Sequence, residues 1–75
     1  MADKLIFYSS EHCPVSLKAK AALVERGEPF EERCVDDDVL WQEDVIRLTG
    51  MTLVPVFVRD GQVEIGWEGE DGCHF

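Results

Sequence analysis

A chain of 75 residues with 16 acidic and 7 basic side chains is long enough for one domain around a single small core. Its formal net charge of −9 repels phosphate backbones and anionic lipids at long range, so we expect neither a nucleic acid nor a membrane as a partner. No apolar run reaches membrane-spanning length and no secretory leader is recognisable, which favours a cytoplasmic protein.

The first third of the sequence predicts a strand, a loop and a helix. Residues 4–8 are short, apolar and rich in aromatic side chains, as in a buried strand, and polar residues 9–12 follow as a loop. Beyond Cys13, Pro14 is suited to the first position of a helix. Apolar residues then recur at helical spacing until Gly27, which is typical of a helix C-cap.

The middle of the chain predicts a second strand and a second helix. Residues 30–35 alternate imperfectly and form the weaker strand. The acidic run 36–38 is suited to capping the start of the next helix, and we prefer this role to metal binding. An apolar stripe that includes Trp41 then continues to Gly50, where the helix should end.

The last predicted strands form a hairpin. Residues 53–58 are mostly β-branched, Asp60-Gly61 is a strong two-residue turn signal, and residues 63–65 supply the partner strand. The element order is therefore β-α-β-α-β-β. A right-handed crossover makes the first two strands parallel, and the economical arrangement is one mixed four-stranded sheet with helices packed on it, an α/β fold.

Cys13 is the best candidate for a reactive group. A cysteine at a strand-to-helix junction faces unpaired backbone N–H groups and the positive end of the helix dipole, and both favour the thiolate. The positive charges of Lys18 and protonated His12 also favour the Cys13 thiolate, whereas the negative charge of Glu11 disfavours it. The alternative is a buried structural cysteine, and the position directly before Pro14 favours the functional interpretation.

Four motifs in this order resemble the glutaredoxin-like members of the thioredoxin fold: Cys13-Pro14-x-Ser16, Thr49-Gly50, Val54-Pro55 and Gly66. The resemblance covers most of the chain, and it implies a thioredoxin/glutaredoxin-like sheet without the C-terminal helix that most glutaredoxins add. It also implies thiol-disulfide exchange with Cys13 as the nucleophile.

The resemblance assigns further roles. Pro55 should follow a cis peptide bond beside Cys13, the backbone of Val54 should pair with the extended chain of a substrate, and Ser16 should donate a hydrogen bond to the Cys13 sulfur. Trp67 either contributes to an apolar docking surface or packs over the open end of the fold. The predicted substrate-binding set is His12, Pro14, Val15, Val54, Pro55, Gly66 and Trp67.

The sequence also departs from the family pattern. Ser16 replaces the second cysteine of a dithiol motif, so Cys13 cannot close a local disulfide. Ser10 stands where glutathione-using members often have lysine, and Gly66-Trp67 stands in place of a glycine pair, so the case for glutathione binding is weak. The Gly66-Trp67 pair, the missing lysine and the short length resemble the small redoxins that donate hydrogen to ribonucleotide reductase, although those usually carry two active-site cysteines.

Cys73 is a candidate resolving cysteine. Residues 68–72 offer no apolar anchor, so we expect residues 68–75 of the single 1–75 domain to form a mobile, exposed tail. In the resembled fold the hairpin returns the chain to the edge near Cys13, which allows Cys73 to attack a mixed disulfide on it. The alternative is a frayed tail without a role. Cys34 is expected to be a small buried hydrophobe.

Metal sites and other functions complete the predictions. His12-Cys13 and Cys73-His74 lack the spacing of a zinc site, so we expect no metal. The preferred function is the reduction of disulfides or mixed disulfides in a protein or small-thiol substrate, by a monomer or weak homodimer that requires no cofactor. The alternatives that use the same Cys13 groove are an iron-sulfur cluster carrier, like monothiol glutaredoxins, and a non-catalytic redox interaction module.

Overall fold

The computed structural model describes residues 4–70 and 72–75, in which two helices and six strands are formed. In chain order these are β1 (Leu5–Ser9), α1 (Pro14–Arg26), β2 (Phe30–Cys34), α2 (Val39–Thr49), β3 (Leu53–Val54), β4 (Val56–Arg59), β5 (Gln62–Ile65) and β6 (Cys73–His74). Neither helix in these described ranges is long and apolar enough to cross a membrane.

Four of the strands form the main sheet in the order β2-β1-β4-β5. Strand β1 lies parallel to β2 and antiparallel to β4, and β5 pairs antiparallel with β4. Asp60 and Gly61, with φ of 53° and 80°, form the turn between β4 and β5, in keeping with the conformation that a tight hairpin requires. The predicted mixed four-stranded sheet and its terminal hairpin are therefore confirmed.

The predicted third strand is divided in two at Pro55. The Val54-Pro55 peptide bond is cis, as the resemblance implied, and a proline has no N–H to donate to a sheet. Only β4 joins the main sheet, whereas β3 forms a separate two-stranded ladder with β6. Proline thus separates a structural strand from a short strand beside Cys13.

Both helices begin and end at the residues that the sequence indicated. Pro14 occupies the first turn of α1, and Gly27 caps its C-terminus with φ of 67°. At the start of α2 the Asp38 carboxylate accepts a hydrogen bond from the Leu40 N–H at 2.9 Å, and Gly50 ends this helix. The predicted capping role of the acidic run is confirmed for Asp38.

The core consists of two adjoining clusters. One cluster surrounds Phe7, whose ring stacks on Phe57 with centroids 5.1 Å apart, and it joins α1 to the sheet. The other contains seven buried residues, Tyr8, Cys13, Val15, Val35, Val45, Val54 and Val56. Cys13 therefore belongs to the packed interior, at the junction of β1, α1 and β3.

The C-terminal residues 68–70 and 72–75 lie in the segment expected to be a mobile tail, and several of them make contacts with the rest of the chain. Trp67 and Glu70 exchange two backbone hydrogen bonds of 2.9 Å, and the Lys18 ammonium lies 3.5 Å from the Glu70 carboxylate. Cys73 and His74 pair with β3. These contacts are made by backbone groups, an ion pair and Cys73, so they do not need the apolar anchor that the sequence lacks in this segment.

Candidate active site

Cys13 is the residue from which α1 begins. Its φ and ψ of −108° and 111° are extended, its N–H donates to the Ser10 carbonyl at 3.2 Å, and its own carbonyl accepts from the Leu17 N–H at 3.1 Å. The side chain makes no cap hydrogen bond. The sulfur therefore lies at the positive end of the helix, where unpaired N–H groups stabilise a thiolate.

The partner of Cys13 is Cys73, at the other end of the chain. The two sulfurs form a disulfide between residues 60 positions apart, with Cα atoms separated by 5.7 Å. Cys13 is fully buried and Cys73 is half-buried. The proximity of these two cysteines that the topology predicted is thus confirmed. Cys73 supplies the second sulfur in a chain that has serine at position 16.

The Val54-Pro55 peptide forms one wall of the site. Val54 and Pro55 are fully buried, and the Val54 carbonyl oxygen lies 3.8 Å from Cys13 Sγ. Behind the proline, the N–H of buried Gly66 donates to the Pro55 carbonyl at 2.9 Å. The Val54-Pro55 peptide thus lies beside Cys13, Gly66 supports it from behind, and the backbone of β3 pairs with Cys73.

Ser16 lies one helical turn along from Cys13 and is 1% exposed. Its Oγ is buried and has no hydrogen-bond partner in the described part of the chain. The expected hydrogen bond to the Cys13 sulfur is therefore absent in this oxidised state, in which that sulfur carries no negative charge. A buried hydroxyl without a partner is costly, and it would be satisfied by an anionic sulfur within reach.

Asp36 has a role that the sequence analysis missed. Its carboxylate accepts hydrogen bonds of 2.9 Å from Ser10 Oγ and from the Glu11 N–H, and so holds the loop that leads to Cys13. Desolvation raises the pKa of Asp36, but these hydrogen bonds and the nearby His12 outweigh it, and the net pKa lies below its ordinary value. The acidic run suggested helix capping alone, and only the parallel pairing of β1 with β2 places Asp36 beside the loop.

The other predicted substrate-binding residues are dispersed. His12 and Pro14 are exposed at the rim of the site, whereas Val15 is buried in the core. Trp67 lies with its ring centroid 5.4 Å from that of Phe57, and the Arg26 guanidinium lies 5.3 Å from the Trp67 centroid. These contacts correspond to the packing alternative for Trp67.

Cys34 stands apart from the disulfide. It is a free, buried cysteine at the end of β2, and burial raises the pKa of its thiol although backbone hydrogen bonds partly oppose this. Its expected role as a small buried hydrophobe fits this position. In residues 4–70 and 72–75 no group of three or more His, Cys, Asp or Glu side chains is arranged to hold a metal ion.

Comparisons with known proteins agree with this geometry. The glutaredoxin family model matches residues 5–64. Glutaredoxin 3 of Escherichia coli K12 is 36% identical over 55 residues, which is 73% of this chain and 66% of the relative, and Glutaredoxin 3 of the O157:H7 strain gives the same values. The match therefore spans slightly less than two thirds of the length of these relatives.

A solved structure shows the same fold. The crystal structure of a glutaredoxin from Archaeoglobus fulgidus superposes with a TM-score of 0.79 at 25% identity, over 91% of this chain and 78% of the other. The match of the family model from β1 to β5, together with a cysteine at the start of α1 facing a cis-proline, leads to one conclusion: the chain belongs to the glutaredoxin family of the thioredoxin-fold superfamily.

Proposed function

We propose that this protein is a thiol-disulfide oxidoreductase in which Cys13 is the nucleophile and Cys73 is the resolving cysteine. The observation that carries the proposal is the pairing of these two sulfurs at the N-terminus of α1, beside the Val54-Pro55 peptide. Family membership supports the general chemistry, and the Cys13–Cys73 disulfide supports this particular cycle in a chain that has Ser16 at the usual second cysteine position.

The first half of the cycle reduces the substrate. The Cys13 thiolate attacks one sulfur of a substrate disulfide, the substrate S–S bond breaks, and the second substrate sulfur leaves as a thiolate that takes up a proton. The Cys73 thiolate then attacks Cys13 Sγ, which releases the first substrate sulfur and forms the Cys13–Cys73 disulfide. Two electrons have passed from the two protein thiols to the substrate.

The second half regenerates the thiols. Because Cys13 is fully buried and Cys73 is half-buried, an incoming thiolate reaches the Cys73 sulfur more readily. Cys13 then leaves as the thiolate that the helix terminus stabilises, which makes it the better leaving group. A second external thiol completes the reduction, so two small thiols or one dithiol supply the two electrons. No resident cofactor is needed, since all electrons pass through sulfur.

The surrounding residues have supporting roles in this proposal. The backbone of Val54 positions an extended substrate chain, and Pro55 fixes the direction of that backbone beside Cys13. Ser16 Oγ donates its hydrogen bond to Cys13 once the sulfur is a thiolate, and this satisfies a buried hydroxyl. His12 and Pro14 form the exposed rim beside Cys13, Gly66 supports Pro55 from behind, and Val15 and Trp67 contribute by packing in the core.

The partners follow from the same chemistry. A protein disulfide or a small mixed disulfide is the substrate, and the net charge of −9 disfavours nucleic acid and anionic lipid. We propose a cytoplasmic location, where external thiols are abundant, and a monomer or weak homodimer.

The deciding experiment follows multiple turnover on a disulfide substrate with excess dithiol or glutathione as reductant. We expect Cys13→Ser to abolish turnover and Cys73→Ser to slow it and to accumulate a mixed disulfide on Cys13. Cys34→Ser is the matched control, because its thiol lies outside the disulfide and turnover should be retained. A Cys73→Ser variant that cycles as fast as the wild type would rule out the resolving role.

A disulfide map provides the direct readout. Cleavage after lysine and arginine separates Cys13, Cys34 and Cys73 onto three peptides. After mild oxidation with oxidised glutathione, we expect the Cys13 and Cys73 peptides to be linked. Glutathione retained on Cys13 alone would instead favour a monothiol mechanism and the cluster-carrier alternative, which anaerobic reconstitution with iron and sulfide would test.

A further inference from the structure

Strand β3 lies outside the main sheet, and within the described residues its strand partner is the end of the chain itself. Leu53 is opposite His74 and Val54 is opposite Cys73 in an antiparallel ladder. One residue further, the Phe75 N–H donates to the Thr52 carbonyl at 3.0 Å. This is the geometry in which an extended peptide adds to an exposed strand edge, with backbone hydrogen bonds fixing its register.

Gly72 fits this edge in a way that no other residue can. Its φ of 102° is a conformation that L side chains rarely adopt. A Cβ atom added at this position would overlap the Val54 carbonyl oxygen and would lie 2.8 Å from the Val54 carbonyl carbon and 3.0 Å from Pro55 Cδ. These contacts are with backbone and a proline ring, which cannot move aside. The position before the cysteine therefore accepts only glycine.

The position two residues after the cysteine is also defined. Phe75 is half-buried and packs on the cluster of Tyr8, Val15 and Val54. His74 between them is exposed. The segment bound along β3 thus presents glycine, cysteine, a solvent-facing residue and an aromatic residue, and every position except the solvent-facing one is restricted by its own contact.

We propose that the β3 edge selects extended polypeptides that carry the pattern glycine, cysteine, any residue, aromatic residue, and that Gly72–Phe75 is its tethered occupant. The inference rests on the proposed function and names the substrate class of that same site. On this view Gly72 shows the selectivity of the edge, because the edge leaves no room for a side chain at this position.

Exchange between the tether and a substrate follows from the size of the ladder. Two residue pairs are far too few for an independently stable strand pair, so the reduced tail leaves the edge readily once the Cys13–Cys73 bond is broken. An incoming chain in the same register brings its cysteine sulfur to Cys13. The Cys13 thiolate forms the new S–S bond, and the group previously bonded to the substrate sulfur leaves as a thiolate.

The test uses four disulfide probes on the Cys73→Ser variant of the 75-residue chain. Each probe carries a cysteine in a mixed disulfide with a coloured aromatic thiol, whose release reports attack by Cys13. The probes are the peptide Glu-Asp-Gly-Cys-His-Phe, its counterpart with alanine before the cysteine, its counterpart with alanine in place of phenylalanine, and cysteine alone. Rates are divided by those with a small free thiol, which removes intrinsic differences in reactivity.

We expect the glycine peptide to react about tenfold faster than the alanine peptide, since a Cβ before the cysteine would strain or displace the backbone at this edge. The peptide without the aromatic residue should be intermediate, and cysteine alone should be slowest. Equal normalised rates for all four probes would overturn the docking inference and leave the proposed nucleophile intact. No release from any probe would overturn both.

A second variant tests the tether as a competitor. With Gly72→Ala added to Cys73→Ser, the tail no longer fits the edge and the glycine peptide should react faster. Gly69→Ala added to Cys73→Ser is the matched control, because Gly69 also has a positive φ, of 85°, but has open space where a Cβ would lie. An unchanged rate in the Gly72→Ala variant would overturn the assignment of the tail as an occupant of this edge.

Discussion

The main sheet and the β3–β6 ladder are held together by different means. Strand β1 is paired on both sides, and its residue Phe7 is fully buried against other aromatic rings. The ladder consists of two residue pairs and one disulfide. Apolar burial does not respond to electron transfer, whereas a disulfide does. We therefore expect the main sheet to persist while the β3–β6 ladder opens when the two sulfurs are reduced.

Reduction of the disulfide should produce the largest difference in stability between the main sheet and the β3–β6 ladder. The bond closes a loop over 60 positions, and the chain-entropy account gives about 4 kcal/mol for its contribution to the free energy of unfolding. We expect urea unfolding to show a loss of this size with dithiol reductant. Amide hydrogen exchange should show β1 still protected and the Phe75 N–H exposed.

The matched variants make this prediction specific. Cys34→Ser should keep the difference between oxidised and reduced protein, and Cys73→Ser should remove it. If β1 lost its protection together with Phe75 on reduction, the two regions would form one cooperative unit and the comparison would fail.

Substitution of Gly72 should produce the next largest effect, confined to the ladder. Gly72→Ala places a Cβ against the Val54 carbonyl only when β6 is docked, so the equilibrium for forming the Cys13–Cys73 disulfide in glutathione buffers should fall by about tenfold or more. Gly69→Ala should change this equilibrium far less, because nothing lies within 4 Å of its added Cβ. Equal shifts in the two variants would show that backbone strain alone, and not the fit to β3, governs the ladder.

The contrast between the two regions also explains which features were predictable. The strands and helices of the main body follow from apolar periodicity and from caps such as Pro14, Gly27 and Asp38, all local signals. The nearness of Cys13 and Cys73 followed from topology once the family resemblance was recognised. Strand β6 was not predicted, because its pairing depends on backbone atoms of β3 and on a glycine whose fit is visible only in three dimensions.

The site was predictable in part for the same reason. Val54 and Pro55 come from one of the motifs that the sequence singled out and lie beside Cys13, and Gly66 of another motif bonds to the Pro55 carbonyl. The contact of Asp36 with the loop before Cys13 could not be read from the sequence, since it joins residues 25 and 26 positions apart through the parallel register of β1 and β2. Among the described residues Ser16 Oγ has no hydrogen-bond partner in the oxidised state, and the expected partner is an ionised sulfur that this state lacks.

Loss of a helix cap should affect the main body alone. Asp38→Ala removes the carboxylate that accepts from the Leu40 N–H, and a lost N-cap costs about 1 kcal/mol. We expect this loss of unfolding free energy to be the same in oxidised and reduced protein. Asp37→Ala, at an exposed neighbouring position, is the control. A cost that appears in only one redox state would show that α2 and the ladder are coupled.

The smallest expected effect concerns Asp36, which links the main body to the loop before Cys13. Its folded pKa is below the ordinary 3.8, because hydrogen bonds from Ser10 and Glu11 outweigh the opposing desolvation. Its contribution to stability is therefore fully present above that ordinary value and is lost as the pH falls through the lower folded pKa.

Asp36→Asn should therefore reduce the loss of unfolding free energy that occurs below about pH 4. At neutral pH it should lower the unfolding free energy by no more than the contribution of one surface hydrogen bond. Acid titration of stability, followed for both oxidised and reduced protein, measures this. Because Asp36 contacts the loop and not β6, the Cys13–Cys73 equilibrium at neutral pH should be unaltered. A shift in that equilibrium would show that the loop before Cys13 is energetically coupled to the β3–β6 ladder. The ladder and the main sheet would then not be independent regions.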